Sequence, residues 1–124
     1  MELKTIYLVE NTKFGKTISE WAENKGFEIK FAAQKNSDLY DVLDGVVLFH
    51  ENHNFLKEDI ETLDSLTKGN RLAHKVDLNG TISATLSNFN MWLSLNKPKN
   101  LMFIGAEDMI KNANLSLFLD RIEA

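Results

Sequence analysis

The chain has 124 residues, 44% of them hydrophobic, which suits one globular domain over residues 1–124 with its own core. Acidic residues outnumber basic ones 18 to 14, and the net charge of −4 argues against a nucleic-acid or anionic-membrane partner recognised through a basic surface. The absence of cysteine excludes disulfides, thiolate metal ligands and cysteine nucleophiles.

Short apolar runs alternate along the chain with polar segments of helical spacing. The runs occupy residues 6–9, 27–33, 45–49, 71–78 and 101–104. Strands separated by helices cannot pair as hairpins, and they form crossover units of parallel sheet instead. The pattern predicts a three-layer α/β domain with a doubly wound, five-stranded parallel sheet in the flavodoxin-like order 2-1-3-4-5.

The first three predicted helices carry recognisable end signals. The first begins near Phe14 or Gly15 and stops at Gly26, because glycine favours the left-handed conformation at a helix end. A short second helix is capped by Asn36 or Ser37. The third spans residues 55–68, and its apolar residues are predicted to face the core: Leu56, Ile60, Leu63 and Leu66. Its acidic residues predict a solvated face: Glu58, Asp59, Glu61 and Asp64.

The fourth predicted helix is apolar on more than one side. It begins after Asn79 or Thr81 and ends before Pro98. The inward stripe consists of Ile82, Leu86, Phe89 and Leu93. A second group consists of Met91, Trp92 and Leu95. This surplus predicts contact with a protein partner or a second copy of the chain, and a wide helix buried in its own domain is the alternative. A fifth helix is predicted to start at Glu107 or Asp108.

The carboxyl ends of parallel strands share one edge of a sheet, and ligands bind beyond that edge. The polar segments expected on this rim are residues 10–12, 33–35, 50–54, 79–81 and 105–108. Any small-molecule site is therefore expected there.

The chain resembles the opening of response-regulator receiver domains in its pattern. The resemblance rests on Ile6-Tyr7-Leu8-Val9-Glu10-Asn11, on Lys25-Gly26-Phe27-Glu28-Ile29 followed by Phe31-Ala32-Ala33, and on Asp41 through Phe49. Beyond that point the two agree in element order only. The resemblance implies a signalling module, and in receivers helix four, strand five and helix five form a common protein-binding surface.

The same resemblance implies that the receiver phosphorylation switch is missing. Receivers hold magnesium with an acidic pair after strand one, where this chain has Glu10 and Asn11. Their phosphoacceptor aspartate corresponds to Phe49 or His50. Two further receiver positions, a hydroxyl residue after strand four and a lysine after strand five, correspond to Thr81 and to Gly105 or Ala106. We therefore expect a non-enzymatic signalling or protein-interaction module without a cofactor.

The loop after strand one predicts a different function. Thr12-Lys13-Phe14-Gly15-Lys16-Thr17 resembles the phosphate loop of flavodoxins, with Thr12, Gly15, Lys16 and Thr17 as candidate anion-binding residues. Free N–H groups at a helix start favour an anion, and the lysines add positive charge. The alternative function is that of a small flavodoxin-like FMN-binding redox protein. An ordinary capped helix start would explain the loop without any ligand.

The histidines do not define a catalytic or metal site by sequence alone. His50 and His53 flank Glu51 and are candidate zinc ligands, but no distant ligand is identifiable, so a solvated polar loop is favoured. His74 is expected to be a hydrogen-bonded structural residue, since no nucleophile and acid can be assigned to it. No segment resembles a signal peptide or a membrane span, and we expect a cytoplasmic protein.

Overall fold

The computed structural model of the protein describes residues 3–34 and 37–122, apart from the side chain of Ser37. The strands are β1 (Thr5–Val9), β2 (Glu28–Ala32), β3 (Gly45–His50), β4 (Leu72–Asp77) and β5 (Asn100–Gly105). The helices are α1 (Lys13–Lys25), α2 (Ser37–Tyr40), α3 (Lys57–Lys68), α4 (Ile82–Asn96) and α5 (Ala113–Asp120). All strand pairs are parallel, which confirms the predicted α/β class and five-stranded parallel sheet. The cap candidate Asn36 and the rim residue Lys35 lie outside the described residues.

The order of the strands is β2-β1-β5-β3-β4, so the predicted order 2-1-3-4-5 is wrong. β5 lies in the middle of the sheet, where Leu101 pairs with Ile6 on one side and with Gly45 on the other. β5 is buried on both faces from Leu101 to Ile104, as a central parallel strand should be. β2 and β4 form the two edges of the sheet, and the side chains of β4 include the exposed Lys75.

Two separate hydrophobic cores cover the two faces of the sheet. α1, α4 and α5 cover one face, and α2 and α3 cover the other. On the first face, neighbouring ring centroids of Phe14, Phe49, Phe89, Phe103 and Phe118 lie 5.2 to 5.7 Å apart. Such tilted and edge-on aromatic contacts add to the stabilisation from apolar burial. α1, which follows β1, and α3, which follows β3, thus lie on opposite faces, and such a change of face opens a crevice at the carboxyl edge.

The inward side of α3 matches the predicted one only in part, with Ile60 and Leu63 partly buried against the core as expected. Leu66 is buried as expected, but Leu56 is 44% exposed. Asp59 is only 3% exposed, so the prediction that all four acidic residues are solvated is wrong. Asp59, Thr62 and Leu66 recur at spacings of three and four, and this row faces the sheet.

The helix ends follow their local signals, with one exception. Gly26 ends α1 with φ 83°, as predicted for a left-handed cap. The fifth helix starts later than expected, because a 3₁₀ turn (Glu107–Lys111) precedes α5. Asn112 then caps α5, its side-chain oxygen accepting the N–H of Asn114 at 2.9 Å. Within the described part of the chain, no helix is long and apolar enough to cross a membrane.

Candidate functional site

The start of α1 is closed by its own residues. Thr12 Oγ1 accepts the N–H of Gly15 at 3.0 Å and donates to the carbonyl oxygen of Val9 at 2.9 Å. A Cβ atom on Gly15 would lie 2.8 Å from both of those oxygens. Glycine is therefore required here for the close approach of α1 to β1, and this need explains Gly15 without a phosphate.

A carboxylate of the chain already binds the N-terminal end of α1. Glu107 Oε1 accepts the backbone N–H of Lys13 at 2.9 Å, so the positive helix end does attract an anion. Of the remaining predicted anion-binding residues, Lys16 is exposed and Thr17 lines a groove of about 380 Å³ between α1 and α5. Thr12 lines a different cavity. Binding of phosphate or FMN at this loop stays a prediction.

The cavity lined by Thr12 is a crevice of about 60 Å³ beyond the carboxyl ends of β1 and β5. α1 borders it on one side, and the start of α3 borders it on the other. The described residues also give it polar groups from Gln34, Asp59 and Glu107. It lies at the edge of the sheet where ligand sites of parallel α/β folds are found.

Asp59 is the most unusual group in this crevice. Its Oδ1 atom accepts a hydrogen bond from Gln34 Nε2 at 2.7 Å, and the same nitrogen donates to Thr62 Oγ1 at 3.1 Å. Its Oδ2 atom is buried and has no hydrogen-bond partner among the described residues. Burial raises the pKa of Asp59 and the charge of Glu58 adds to this, whereas the bond from Gln34 opposes it.

The sequence prediction missed Asp59 because it assigned every acidic residue of α3 to the solvent. The useful signal was its position in the row with Thr62 and Leu66, which points toward the sheet. A carboxylate in such a row must be paired, protonated or functional, since burial of an unpaired charge is costly.

His50 and His53 lie together at the end of β3, where the centroids of their stacked rings are 5.2 Å apart. His50 is 2% exposed, and its Nδ1 atom accepts the backbone N–H of His53 at 3.1 Å. That bond places the proton of a neutral His50 on Nε2. Burial lowers the pKa of His50, against the opposing effect of the Asp77 carboxylate. No cluster of three or more metal-ligating side chains occurs within the described ranges.

Hydrogen bonds connect the loops after β3, β4 and β5. Asp77 Oδ1 accepts the backbone N–H groups of Asn79 at 2.9 Å and of Asn52 at 3.2 Å. Glu51 Oε2 accepts a hydrogen bond from Asn112 Nδ2 at 2.9 Å. These bonds satisfy the polar loops from within the protein, so this half of the rim is built as a structural network.

The surplus apolar residues of α4 divide into two groups. Met91 is 58% exposed and Leu95 is 76% exposed. Trp92 is half-buried, and its ring lies 5.1 Å from that of His74 and 5.8 Å from that of Phe89. The indole therefore belongs to the packing of the domain, whereas the other two side chains face outward.

Met91 and Leu95 lie on a surface that is poor in charge. The segment from Asn79 to Asn96 contains no Asp, Glu, Lys, Arg or His, in a chain with 26% charged residues. A groove of about 460 Å³ runs between α4 and Arg121, just after α5. Leu117, which is 43% exposed, lies one turn before Arg121.

We call this surface the α4–α5 face, with Met91, Leu95 and Leu117 as its exposed apolar residues. Hydrophobic spacing alone predicted that Met91 and Leu95 belong to this face. It also selected Trp92, which packs within the domain. The run without charges was a second signal in the sequence, since the outer face of an ordinary solvated helix carries charged residues.

Comparisons with protein-family models, with curated proteins and with solved structures give no match for this chain.

Proposed function

We propose that the protein is a non-enzymatic interaction module, suited to signalling, that forms a homodimer through the α4–α5 face. The observation that carries the proposal is the exposure of Met91 and Leu95 on a helix without a single charged residue. The cores of protein interfaces are depleted in charged residues and enriched in methionine, and this helix has both properties.

A second copy of the chain is the occupant that fits this face best. A charged partner surface would lose hydration at the centre of the contact without gaining a counter-charge. An identical face lacks that cost, and a two-fold axis would bring Met91 and Leu95 of both copies together. Because the chain carries a net charge of −4, two copies repel each other least where the contact centres on α4, which has no charged residue.

Side-chain size on α4 also favours contact between helices. Ser83, Ser87 and Ser94 line the groove beside Met91. Small side chains let a second helix approach closely, while Met91 and Leu95 supply the apolar area. In receivers the protein-binding surface includes strand five, whereas β5 of this chain lies in the middle of the sheet, so the resemblance adds no support for this face.

Sedimentation velocity tests the proposal directly. The wild-type protein is expected to sediment with twice the chain mass of 14.2 kDa and to dissociate on dilution. Leu95→Glu should raise the dissociation constant at least about tenfold, because each change acts twice in a symmetric dimer and introduces a buried charge.

Phe31→Glu is the matched control for that substitution. Phe31 is 50% exposed and lies on β2, at the opposite edge of the sheet from the strand that α4 contacts, so its replacement should leave the dimer intact. A wild-type protein that stays monomeric at every concentration would contradict the proposal. Equal weakening by the two variants would also contradict it, since the effect would then come from added negative charge alone.

A further inference from the structure

Asp59 lines the crevice at the carboxyl edge, and the chain leaves one oxygen of its carboxylate unsatisfied. Asp59 is 3% exposed, and its Oδ2 atom has no hydrogen-bond partner in the described part of the chain. Its Oδ1 atom is held by Gln34 at 2.7 Å, so the carboxyl group is fixed in place. A buried polar atom without a partner is costly, and a group from outside the chain would remove that cost.

The remaining lining restricts which group could bind. Glu107 is exposed at the rim and brings a second carboxylate to the crevice. Among the described residues, no Lys, Arg or His side chain lines it. Apolar walls complete the site: Val9, Phe14, Leu56, Phe103 and Ile104. Two acidic groups with apolar and aromatic walls favour a cation that also carries methylene groups.

We propose that this crevice binds the ammonium group of a small alkylammonium ligand, with Asp59 Oδ2 as the inner acceptor and Glu107 at the entrance. A site of about 60 Å³ has room for a few water molecules, which matches a primary ammonium group and its first methylene groups. A divalent metal ion fits less well, because Ca²⁺ and Mg²⁺ bound by two carboxylates keep several water ligands, and a crevice of about 60 Å³ with largely apolar walls has little room for them.

Ligand charge and the ionisation of Asp59 are linked at this site. Burial raises the pKa of this carboxyl group in the free protein. A bound ammonium group favours the ionised carboxylate and so lowers that pKa. Binding should therefore release a proton and become tighter as the pH rises through the pKa of the free site.

NMR titration with propylammonium chloride tests the proposal, with sodium chloride at equal ionic strength as the blank. Saturable shifts are expected at the side-chain amide of Gln34 and at the backbone amides of Asp59 and Gly105. Asp59→Asn should weaken binding at least about tenfold, because it removes a charge-assisted hydrogen bond. Asp64→Asn is the matched control on the exposed side of α3 and should bind as the wild type does.

A second carboxylate variant and a magnesium titration complete the test. Glu107→Gln should weaken propylammonium binding by a smaller factor than Asp59→Asn, since charge at the exposed entrance is screened. This variant also tests the site if Asp59→Asn fails to fold. Magnesium chloride is titrated separately. The proposal is overturned if propylammonium gives no saturable shifts, or if both carboxylate variants bind as the wild type does. Saturation of the same resonances by magnesium alone would overturn it in favour of a metal site.

Discussion

Asp59 illustrates how a single side chain can depart from the pattern of its helix. Three acidic neighbours of the same segment follow the expected outward pattern, being exposed at positions 58, 61 and 64. Asp59 shares the inward row of Thr62 and Leu66 and is held by Gln34, which lies 25 residues away in sequence. Sequence spacing identifies the row, but only the folded chain shows which amide meets the carboxyl group.

Replacement of Asp59 by asparagine should stabilise the free protein at neutral pH. The folded pKa of Asp59 is raised above the ordinary value of 3.8, so ionisation opposes folding once the pH exceeds that value. The amide that replaces the carboxyl group keeps an acceptor for Gln34 and carries no charge. The free energy of unfolding should rise by on the order of 1 kcal/mol at pH 7.

Urea unfolding of Asp59→Asn and of the wild type, at neutral pH and again below pH 3.8, measures this difference. The gain should disappear in acid, where the wild-type carboxyl group is protonated. A variant that is less stable than the wild type at neutral pH would show that the carboxylate has a partner in the free protein.

Gly15 gives a second prediction for a single residue. Gly15→Ala should lower the free energy of unfolding by about 1 to 3 kcal/mol, because the new Cβ would lie 2.8 Å from the backbone oxygen of Val9. Gly69→Ala is the control, since its Cβ would make only ordinary contacts at 3.5 Å or more. Thermal unfolding compares the two, and equal effects would refute a specific role for close packing at Gly15.

At the scale of elements, local signals predict where each helix and strand lies better than they predict which strands are neighbours in the sheet. Gly26 and Pro98 mark their helix ends because each acts on the backbone beside it. The strand order depends on pairing between distant segments, and an assumed flavodoxin-like arrangement gave the wrong one. Polarity was the better guide, since Lys75 makes β4 an edge strand while the apolar β5 fills the centre.

For the candidate site, too, the sequence predicted the location in the sheet but not which residues meet there. A rim at the carboxyl ends follows from parallel strands, and the structure places Thr12, Asp59 and Glu107 together there. Their meeting depends on β5 lying beside β1, and that neighbourhood was not part of the predicted order. Position along the chain therefore suggested the edge of the sheet but not the crevice.

Two histidines of the sheet, His50 on β3 and His74 on β4, should make folding sensitive to mild acid. Burial lowers the pKa values of His50 and His74 below the ordinary value of 6.5. The unfolded chain then binds more protons than the folded one, so the stabilisation is complete above pH 6.5 and is lost progressively as the pH falls below that value. Protonated Nδ1 of His50 could no longer accept the N–H of His53.

His50→Asn should reduce this pH dependence, because the amide oxygen can still accept the N–H of His53 but does not titrate. His53→Asn is the control: His53 is exposed, and asparagine tolerates its φ of 63°. Urea midpoints at pH 7.5 and 5.5, values chosen on either side of about 6.5, measure the effect. An unchanged pH dependence in His50→Asn would exclude His50 as its source.

At the scale of the whole molecule, the crevice and the α4–α5 face have separate roles in our account. The crevice lies beyond the carboxyl ends of β1 and β5, whereas the face is formed by helices that cover one side of the sheet. Ligand binding and dimerisation should therefore be separable by mutation. Leu95→Glu should leave propylammonium binding unchanged, and Asp59→Asn should leave the dimer unchanged, as NMR titration and sedimentation would show.

The absence of cysteine allows the central claim, a homodimer through the α4–α5 face, to be measured with a single introduced thiol. Ser94→Cys places it on α4 beside the groove, and Ser65→Cys places it on α3, which covers the other face of the sheet. Treatment with a short bismaleimide should link two copies of Ser94→Cys in high yield and leave Ser65→Cys mostly monomeric. Equal linking of the two variants, or no linking at Ser94→Cys, would contradict the account.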